Sequence, residues 1–441
     1  MRSRATAGVM SGAMTGATPL RMLALALTER VPSERAVLER RRDAALRQLL
    51  ADSGERVPFV ARLLRDAGIA PQDVRGVSDL ARLPTTTKRD YRDAGQDQVL
   101  ARGVAPGSLV DRTTSGSTGE RMVVKRTWAE ERLLNAFRWR ALRWCGHRPY
   151  DRLAMLDFRL TERPGDEPLA IRLTRRAGLW PRRVFDGLGN DAGASVAAFR
   201  PDTVAGMTSV VARFADTAAE HGVRPRLVMT GGELLTPPLR ARIAALGAPI
   251  VDFYGCNELN LIAWQCPAGA GTYHVCDDAH VIEVVGPDGR EVAVGERGDV
   301  VATSLFSRAM PLVRYRVGDV AVRGPAPCPC GAALSTLLDV CGRTIDGFDL
   351  GDGGVLHPWE ILNVVRSHLA WVRQQQLVQR GARSIVLRIV PLGAPDAAKV
   401  TAIEAAARAA LGERARFDVE VTTSIEPGPS GKARPFVPLG R

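Results

Sequence analysis

The chain has 441 residues, 45% hydrophobic and 24% charged, with a formal net charge of +12. That length accommodates two domains, and the balance is that of an ordinary globular protein. No apolar run is long enough to span a membrane, and the basic residues lie beside acidic ones without an aromatic-interleaved basic block, so neither a membrane nor a nucleic-acid partner is indicated.

Residues 1–29 read as a loose N-terminal tail, because Arg21 and several glycines break any signal-peptide core, and the cytoplasm is the expected compartment. Residues 30–66 read as helical, with Leu38, Leu46, Leu49 and Leu50 at helical spacing. Leu83-Pro84-Thr85-Thr86-Thr87-Lys88 is a Pro-initiated turn feeding another helix. Next comes Thr113-Thr114-Ser115-Gly116-Ser117-Thr118-Gly119-Glu120, followed by the strand Met122-Val123-Val124. Glycine permits close backbone approach and the hydroxyls supply short donors, so the run can form a nest for phosphate oxygens. It is equally readable as an exposed turn, and it is no Walker A loop because no Gly-Lys-Ser/Thr closes it.

Residues 128–145 form an amphipathic helix rich in Trp and Arg. The strand Arg226–Thr230 ends at Gly231-Gly232-Glu233, a helix runs through 241–245, and a second strand covers 249–253. That alternation predicts βαβ units and a parallel sheet, with ligands at the strand ends. From about residue 280 short strands dominate: 280–285, 299–303 and 320–322, separated by glycine turns. After Gly342-Arg343 a helix near 358–368, a hairpin at Arg380-Gly381, a helix at 396–411 and the strand 416–421 make a small α+β unit, with a boundary near residue 343.

The seven cysteines, an odd number, argue against a disulfide framework. Cys328-Pro329-Cys330 resembles a metal knuckle, and Cys266 with His274 lies on a second loop; two ligand pairs could complete a tetrahedral zinc site, with Cys276 a possible substitute member. Cys145, Cys256 and Cys341 read as buried thiols. Only Lys88, Lys125, Lys399 and Lys432 are lysines, in a chain that otherwise writes Arg. A lysine retained there suits a task for a compact ammonium, although Lys432, in Pro429-Ser430-Gly431-Lys432, also reads as a surface residue on the C-terminal tail.

The motifs fall in one order: the hydroxyl–glycine loop, Gly231-Gly232-Glu233, Tyr254-Gly255-Cys256-Asn257-Glu258, Tyr315-Arg316-Val317-Gly318-Asp319, Gly342-Arg343 and Gly431-Lys432. This series resembles the adenylate-forming superfamily of acyl-CoA synthetases, and Leu83–Lys88 ahead of the loop is similar to phenylacetate–CoA ligases. The resemblance implies an α/β fold: a large N-terminal domain (30–342) of mixed parallel sheets and helices with the ATP, acid and zinc sites, and a small mobile α+β domain (343–441) with the catalytic lysine. It implies an ATP-dependent ligase that joins a carboxylic acid, expected to be aromatic, to AMP with release of pyrophosphate, then to CoA. Thr114, Ser115, Gly116, Ser117, Thr118 and Gly119 would hold the β- and γ-phosphates. Tyr254 would stack on adenine beside Gly232 and Glu233, with Gly255 in the same motif. Asn257 would donate to an α-phosphate oxygen, Glu258 would hold Mg²⁺, and Asp319 would accept from the ribose hydroxyls. Arg343 would lie near ribose and phosphate, and Lys432 would bridge the substrate carboxylate and the α-phosphate. Cys266, His274, Cys328 and Cys330 would form a structural zinc site. Trp139, Phe253, Trp264 and Gly231 are candidates for the acid pocket.

Plain alternatives exist: Tyr254 as core, Glu258 as a helix-N-terminal acid, Asp319 as a turn former. The chain also departs from the family pattern. Asn257 stands where a Thr-like hydroxyl is usual, Ile345 stands at the usual hinge Asp with Asp346 one place later, and Arg121 and Met122 replace a lysine near the loop's end. An altered hinge leaves an amine or a carrier-protein thiol as alternative acceptors, and a homodimer as an open possibility. A non-catalytic zinc-stabilised nucleic-acid binder would leave Lys432 and the glycine series without a purpose.

Overall fold

The computed structural model describes residues 33–113, 122–157, 181–187, 189, 191–218, 220–269, 271–343, 347–352, 354–426 and 434–440. The expected tail 1–29, the loop residues Thr114–Gly119, the hinge residues Ile345 and Asp346, and Lys432 lie outside them. Contacts divide the chain into two compact units, 1–145 with 253–340 and 146–252 with 341–441. Among the described residues no helix is long and apolar enough to cross a membrane.

The first unit opens with α1 (Arg35–Arg56), which turns Leu38, Leu46, Leu49 and Leu50 inward, each at 0% exposure. Pro58 disfavours helical backbone at Val57, which is extended (φ −115°), so the helical stretch expected over 30–66 breaks there and α2 (Pro58–Asp66) begins on that proline. α3 (Lys88–Ala94) starts from a capping box: the Thr87 hydroxyl accepts from Asp90 N, and the Asp90 carboxylate accepts from Thr87 N at 2.7 Å. β1 (Val110–Thr113) and β2 (Val123–Arg126) pair antiparallel. Thr127 and Glu130 form a second capping box on α4 (Trp128–Trp144), and the buried Glu130 carboxylate also accepts from the backbone N–H groups of Arg308 and Ala309.

The chain then enters the second unit. β3 (Leu153–Asp157), β4 (Arg182–Asp186), α5 (Ala192–Phe199), β5 (Thr203–Met207), α6 (Thr208–Ala218), β6 (Leu227–Gly231) and α7 (Pro237–Ile243) alternate strand and helix. The strands pair in parallel, β4 with β3, β3 with β5 and β5 with β6, as the sequence predicts. Gly206 is required there, since a Cβ would sit 2.6 Å from the Leu156 carbonyl oxygen. Val196, Val204, Val211, Phe214, Val228 and Ile243 form the core between sheet and helices.

β7 (Ile250–Cys256) carries the chain back into the first unit. It runs three residues beyond the expected strand end at 253 and turns into β8 (Asn260–Gln265), its antiparallel partner. β9 (Tyr273–Val275), β10 (His280–Val285), β11 (Arg297–Ser304), β12 (Tyr315–Arg323) and β13 (Thr336–Arg343) follow. Antiparallel pairing joins β8 to β9, β9 to β13, β10 to β11 and β11 to β12. Trp264, Tyr315, Leu312 and Ile262 share one core with Leu38, Leu46 and Leu50 of α1.

The last segment belongs to the second unit: β14 (Phe348–Asp349), β15 (Val355–Leu356), α8 (Pro358–Val365), β16 (Val372–Gly381), β17 (Ser384–Pro391), α9 (Ala397–Leu411), β18 (Arg416–Val421) and β19 (Phe436–Val437). Four strands form a mixed sheet in the order β18-β17-β16-β19, with the hairpin turn at Gly381 where the sequence puts it. Leu377, Ile385, Leu387, Ile403 and Phe417 pack a separate core beneath it.

Candidate active site

The segment before α3 is fixed against β12 by backbone bonds. Thr86 N donates to Arg314 O at 2.8 Å and Arg316 N to Thr86 O at 2.8 Å, a parallel bridge one residue wide. Arg314 occupies the left-handed region at φ 43° and is held by a two-point bond to Glu283, Nε–Oε2 3.1 Å and Nη2–Oε1 2.8 Å. This arrangement aims Lys88, the first residue of α3, at the β7–β8 turn.

Glu258 lies on that turn, 6% exposed. Its Oε1 accepts from the Tyr315 hydroxyl at 3.3 Å and stands 3.7 Å from Lys88 Nζ. Burial and the adjoining Glu258 carboxylate push the Tyr315 phenol far above its ordinary range, so it stays a donor. Lys88 was not selected as a site residue from sequence. Two signals touch it, the scarcity of lysine and the resemblance of Leu83–Lys88 to phenylacetate–CoA ligases, and neither gives the lysine a role.

Two more expected residues meet nearby. The Tyr254 hydroxyl donates to Asp319 Oδ2 at 2.8 Å, joining β7 to β12 within the first unit. Gly255, between Tyr254 and the turn, has no room for a side chain, as a Cβ would sit 2.2 Å from the Asn260 carbonyl oxygen. Asn257 is exposed, and its Nδ2 donates to the Thr113 carbonyl at 2.7 Å, at the end of β1. The same turn is gripped from β2 by Arg126, whose guanidinium donates to the carbonyls of Asn257 (2.8 Å) and Glu258 (2.5 Å).

The Gly231-Gly232-Glu233 motif and Arg343 belong to the second unit. Gly231 ends β6 and Gly232 follows at φ +78°, a conformation that favours glycine. Glu233 is committed to the start of α6: its Oε2 accepts from Ser209 N at 2.8 Å and its carbonyl from the Thr208 hydroxyl at 3.1 Å. At the strand ends, Thr230 Oγ1 donates to the buried Asp252 at 2.5 Å. Arg343 is exposed at the end of β13, and its carbonyl lies 3.2 Å from His357 Nε2. Gly342 before it has φ +106°, and a Cβ there would come within 2.9 Å of the Phe436 ring.

The two residue pairs that the sequence offers as possible metal ligands come together. One ligand atom each from Cys266, His274, Cys328 and Cys330 lies within 4.8 Å of the others. Tetrahedral Zn–S and Zn–N bonds put neighbouring ligand atoms about 3.5–3.8 Å apart, so the set can close on zinc with small shifts. Burial holds the His274 imidazole down to about 4, keeping it in the neutral form that binds metal. Cys276 is not a member: its thiol faces Asp278 and Arg140 instead.

The aromatic candidates separate. Trp139 on α4 and Phe253 on β7 are half-buried. Trp264 is a correction to the acid-pocket expectation: it is 0% exposed, with its ring 5.7 Å from His274 and 6.2 Å from Trp144, so it packs beside the thiol cluster. β8 is buried on both faces from Leu261 to Gln265, so a ring paired with Phe253 across β7–β8 is enclosed whichever way it points, which composition alone does not reveal.

No family model matches the chain. It is 30% identical over 338 residues to the phenylacetate–coenzyme A ligase of Thermus thermophilus, covering 72% of each chain. To the enzyme of the same name from Escherichia coli it is 28% identical over 293 residues, covering 62% of this chain and 64% of that one. Among solved structures, a 2-hydroxyisobutyryl-CoA ligase in the postadenylation state superimposes with a TM-score of 0.70 at 21% identity, covering 91% of this chain and 88% of that one. An amide bond synthetase from Marinactinospora thermotolerans gives 0.53 at 18% identity, covering 76% and 70%. The ordered motifs, the shared α/β architecture and this identity across nearly three quarters of both chains have one consequence: the chain belongs to the phenylacetate–coenzyme A ligase family.

Proposed function

We propose that the protein is an ATP-dependent ligase that activates a carboxylic acid as its acyl-adenylate, releases pyrophosphate and passes the acyl group to CoA. The observation that carries this reading is the first unit's arrangement: Tyr254 bonded to Asp319, and Glu258 buried two residues past the end of the same strand against Tyr315 and Lys88. A carboxylate is a poor electrophile, and attack on the α-phosphate builds negative charge on phosphoryl oxygens, so catalysis is positioning plus electrostatic stabilisation.

In this account Tyr254 stacks on adenine while its hydroxyl orients Asp319 towards the ribose hydroxyls. Gly232 and Glu233 flank the base, and Arg343 and Lys432 act from the C-terminal segment, Lys432 bridging the two reacting groups. Thr114–Gly119 hold the leaving phosphates. Glu258 offers the hard oxygen donor that Mg²⁺ takes together with phosphate oxygens. When bound, that cation spreads the phosphate charge. Lys88 supplies an ammonium next to the same carboxylate, which fits a loop lacking its own lysine. Cys266, His274, Cys328 and Cys330 hold a structural zinc ion in the first unit, and the 30–342 and 343–441 segments act as large and small domains. The acid is aromatic by the names of the relatives, with Trp139, Phe253 and Gly231 as lining candidates, and the setting is cytoplasmic.

Acid-dependent pyrophosphate release across aromatic and aliphatic acids tests the reading; its absence with every acid would overturn it. A second reading, transfer to an amine or a carrier-protein thiol, rests on Ile345 at the hinge position. Mass spectrometry of products with each acceptor offered separately decides between them.

A further inference from the structure

Glu258 sits on the turn between β7 and β8, and three side chains fix it. Arg126, 1% exposed, gives one arm of its guanidinium to the carbonyls of Asn257 and Glu258 at 2.8 and 2.5 Å. Its other arm bonds Glu131 Oε2 at 3.0 Å, and Arg112 bonds the second oxygen of that carboxylate at 2.5 Å. Asn257 ties the turn to β1 through Thr113 O at 2.7 Å, and Asn260 Nδ2 reaches Asn135 Oδ1 on α4 at 3.1 Å. The turn is therefore anchored to β1, β2 and α4 together.

We propose that Arg126 and Asn257 are positioning residues that preset Glu258 for the metal–nucleotide complex, a role that rests on the ligase reading above. Nη2 bonds both carbonyls while Nη1 bonds Glu131, and the single nitrogen of a lysine head could not span from the turn to that carboxylate as the two guanidinium nitrogens do. Arg126 and Arg112 share the Glu131 carboxylate, so the cluster keeps one positive charge, and replacing Arg126 and Glu131 together removes the geometry while leaving that net charge unchanged. Asn257 carries the matching argument. Its amide is longer than the Thr-like hydroxyl usual at this position and spans to the Thr113 carbonyl, so the departure from the family pattern serves the anchoring of the turn. A carboxylate held in place before the cation arrives loses less freedom on binding it, which is where pre-organisation enters affinity.

The test is calorimetric binding of ATP with excess Mg²⁺ and, separately, of ATP in EDTA, for wild type, Asn257→Ala and the charge-matched pair Arg126→Gln/Glu131→Gln. The thermal midpoint of each is recorded. Loss of charged or amide hydrogen bonds to the turn predicts Mg·ATP binding weakened by about tenfold, and metal-free ATP binding weakened distinctly less. Arg126→Lys recovers part of the loss. Asn257 is exposed, so its variant remains folded and informative even if the buried pair does not tolerate replacement. Unchanged Mg·ATP affinity in folded Asn257→Ala would overturn the proposal, as would equal weakening with and without the metal, which marks a general structural role. A wild-type protein that binds ATP no better with Mg²⁺ would remove the ligase reading itself, and this inference with it.

Discussion

The hydroxyl of Tyr254 donates to the carboxylate of Asp319 at 2.8 Å, tying the strand with the proposed adenine ring to the strand with the proposed ribose acceptor. This bond separates two contributions. Asp319→Ala removes the acceptor and is expected to raise the KM for ATP by about tenfold while leaving the KM for the acid alone. Tyr254→Phe keeps the ring and loses only the orienting bond, so the same KM should rise by no more than about threefold. Steady-state kinetics with each substrate varied in turn distinguishes the two.

Lys88 and a metal ion would share one carboxylate. Lys88 Nζ stands 3.7 Å from Glu258 Oε1, with the lysine side chain 25% exposed, so solvent weakens but does not remove the attraction. Lys88→Met should lower the Mg²⁺ concentration needed for half-maximal ATP binding by about two- to fivefold, at the level of a part-exposed ion pair. Glu258→Gln should raise it and cut adenylation by about a hundredfold. A magnesium titration of both variants checks the opposite signs.

The thiol–imidazole cluster predicts about one zinc per chain. Replacing Cys266 or Cys328, both buried, with Ser should abolish the bound metal and lower the melting temperature, whereas Cys276→Ser should keep the metal. Elemental analysis of the purified variants reads this directly.

His280, at 0% exposure, gives a pH dependence of stability. Burial, with Arg126 nearby, holds its pKa down to about 4. The unfolded chain binds this proton below about pH 6.5 and the folded one only near 4, so stability is complete above 6.5 and falls as the pH drops from 6.5 towards 4. The total loss from this residue is on the order of 3 kcal/mol. Urea unfolding of wild type and His280→Gln between those limits should show a shallower pH slope in the variant.

Much of this was legible before the structure. The strands 280–285 and 416–421 match because apolar alternation and glycine turns bound them locally, and the four-residue Cys/His cluster was recognisable because Cys and His carry their chemistry in their identity. What was not legible depends on contacts between distant segments. Lys88 reaches Glu258 only because Thr86 forms a one-residue bridge to β12, and nothing local in Leu83–Lys88 records that bridge. Arg126 was one arginine among many until the fold set it under two carbonyls. An aromatic ring near a motif reads as either pocket wall or core packing, and only the fold shows Trp264 fully buried on β8.

The most direct measurement is pyrophosphate release from ATP by wild type and Lys432→Ala across a panel of aromatic and aliphatic acids, followed by analysis for the CoA thioester. The account predicts release that requires the acid and Mg²⁺, is strongest with an aromatic acid, yields the thioester when CoA is present and is reduced at least about a hundredfold in Lys432→Ala. No acid-dependent release, or undiminished release in that variant, would contradict it.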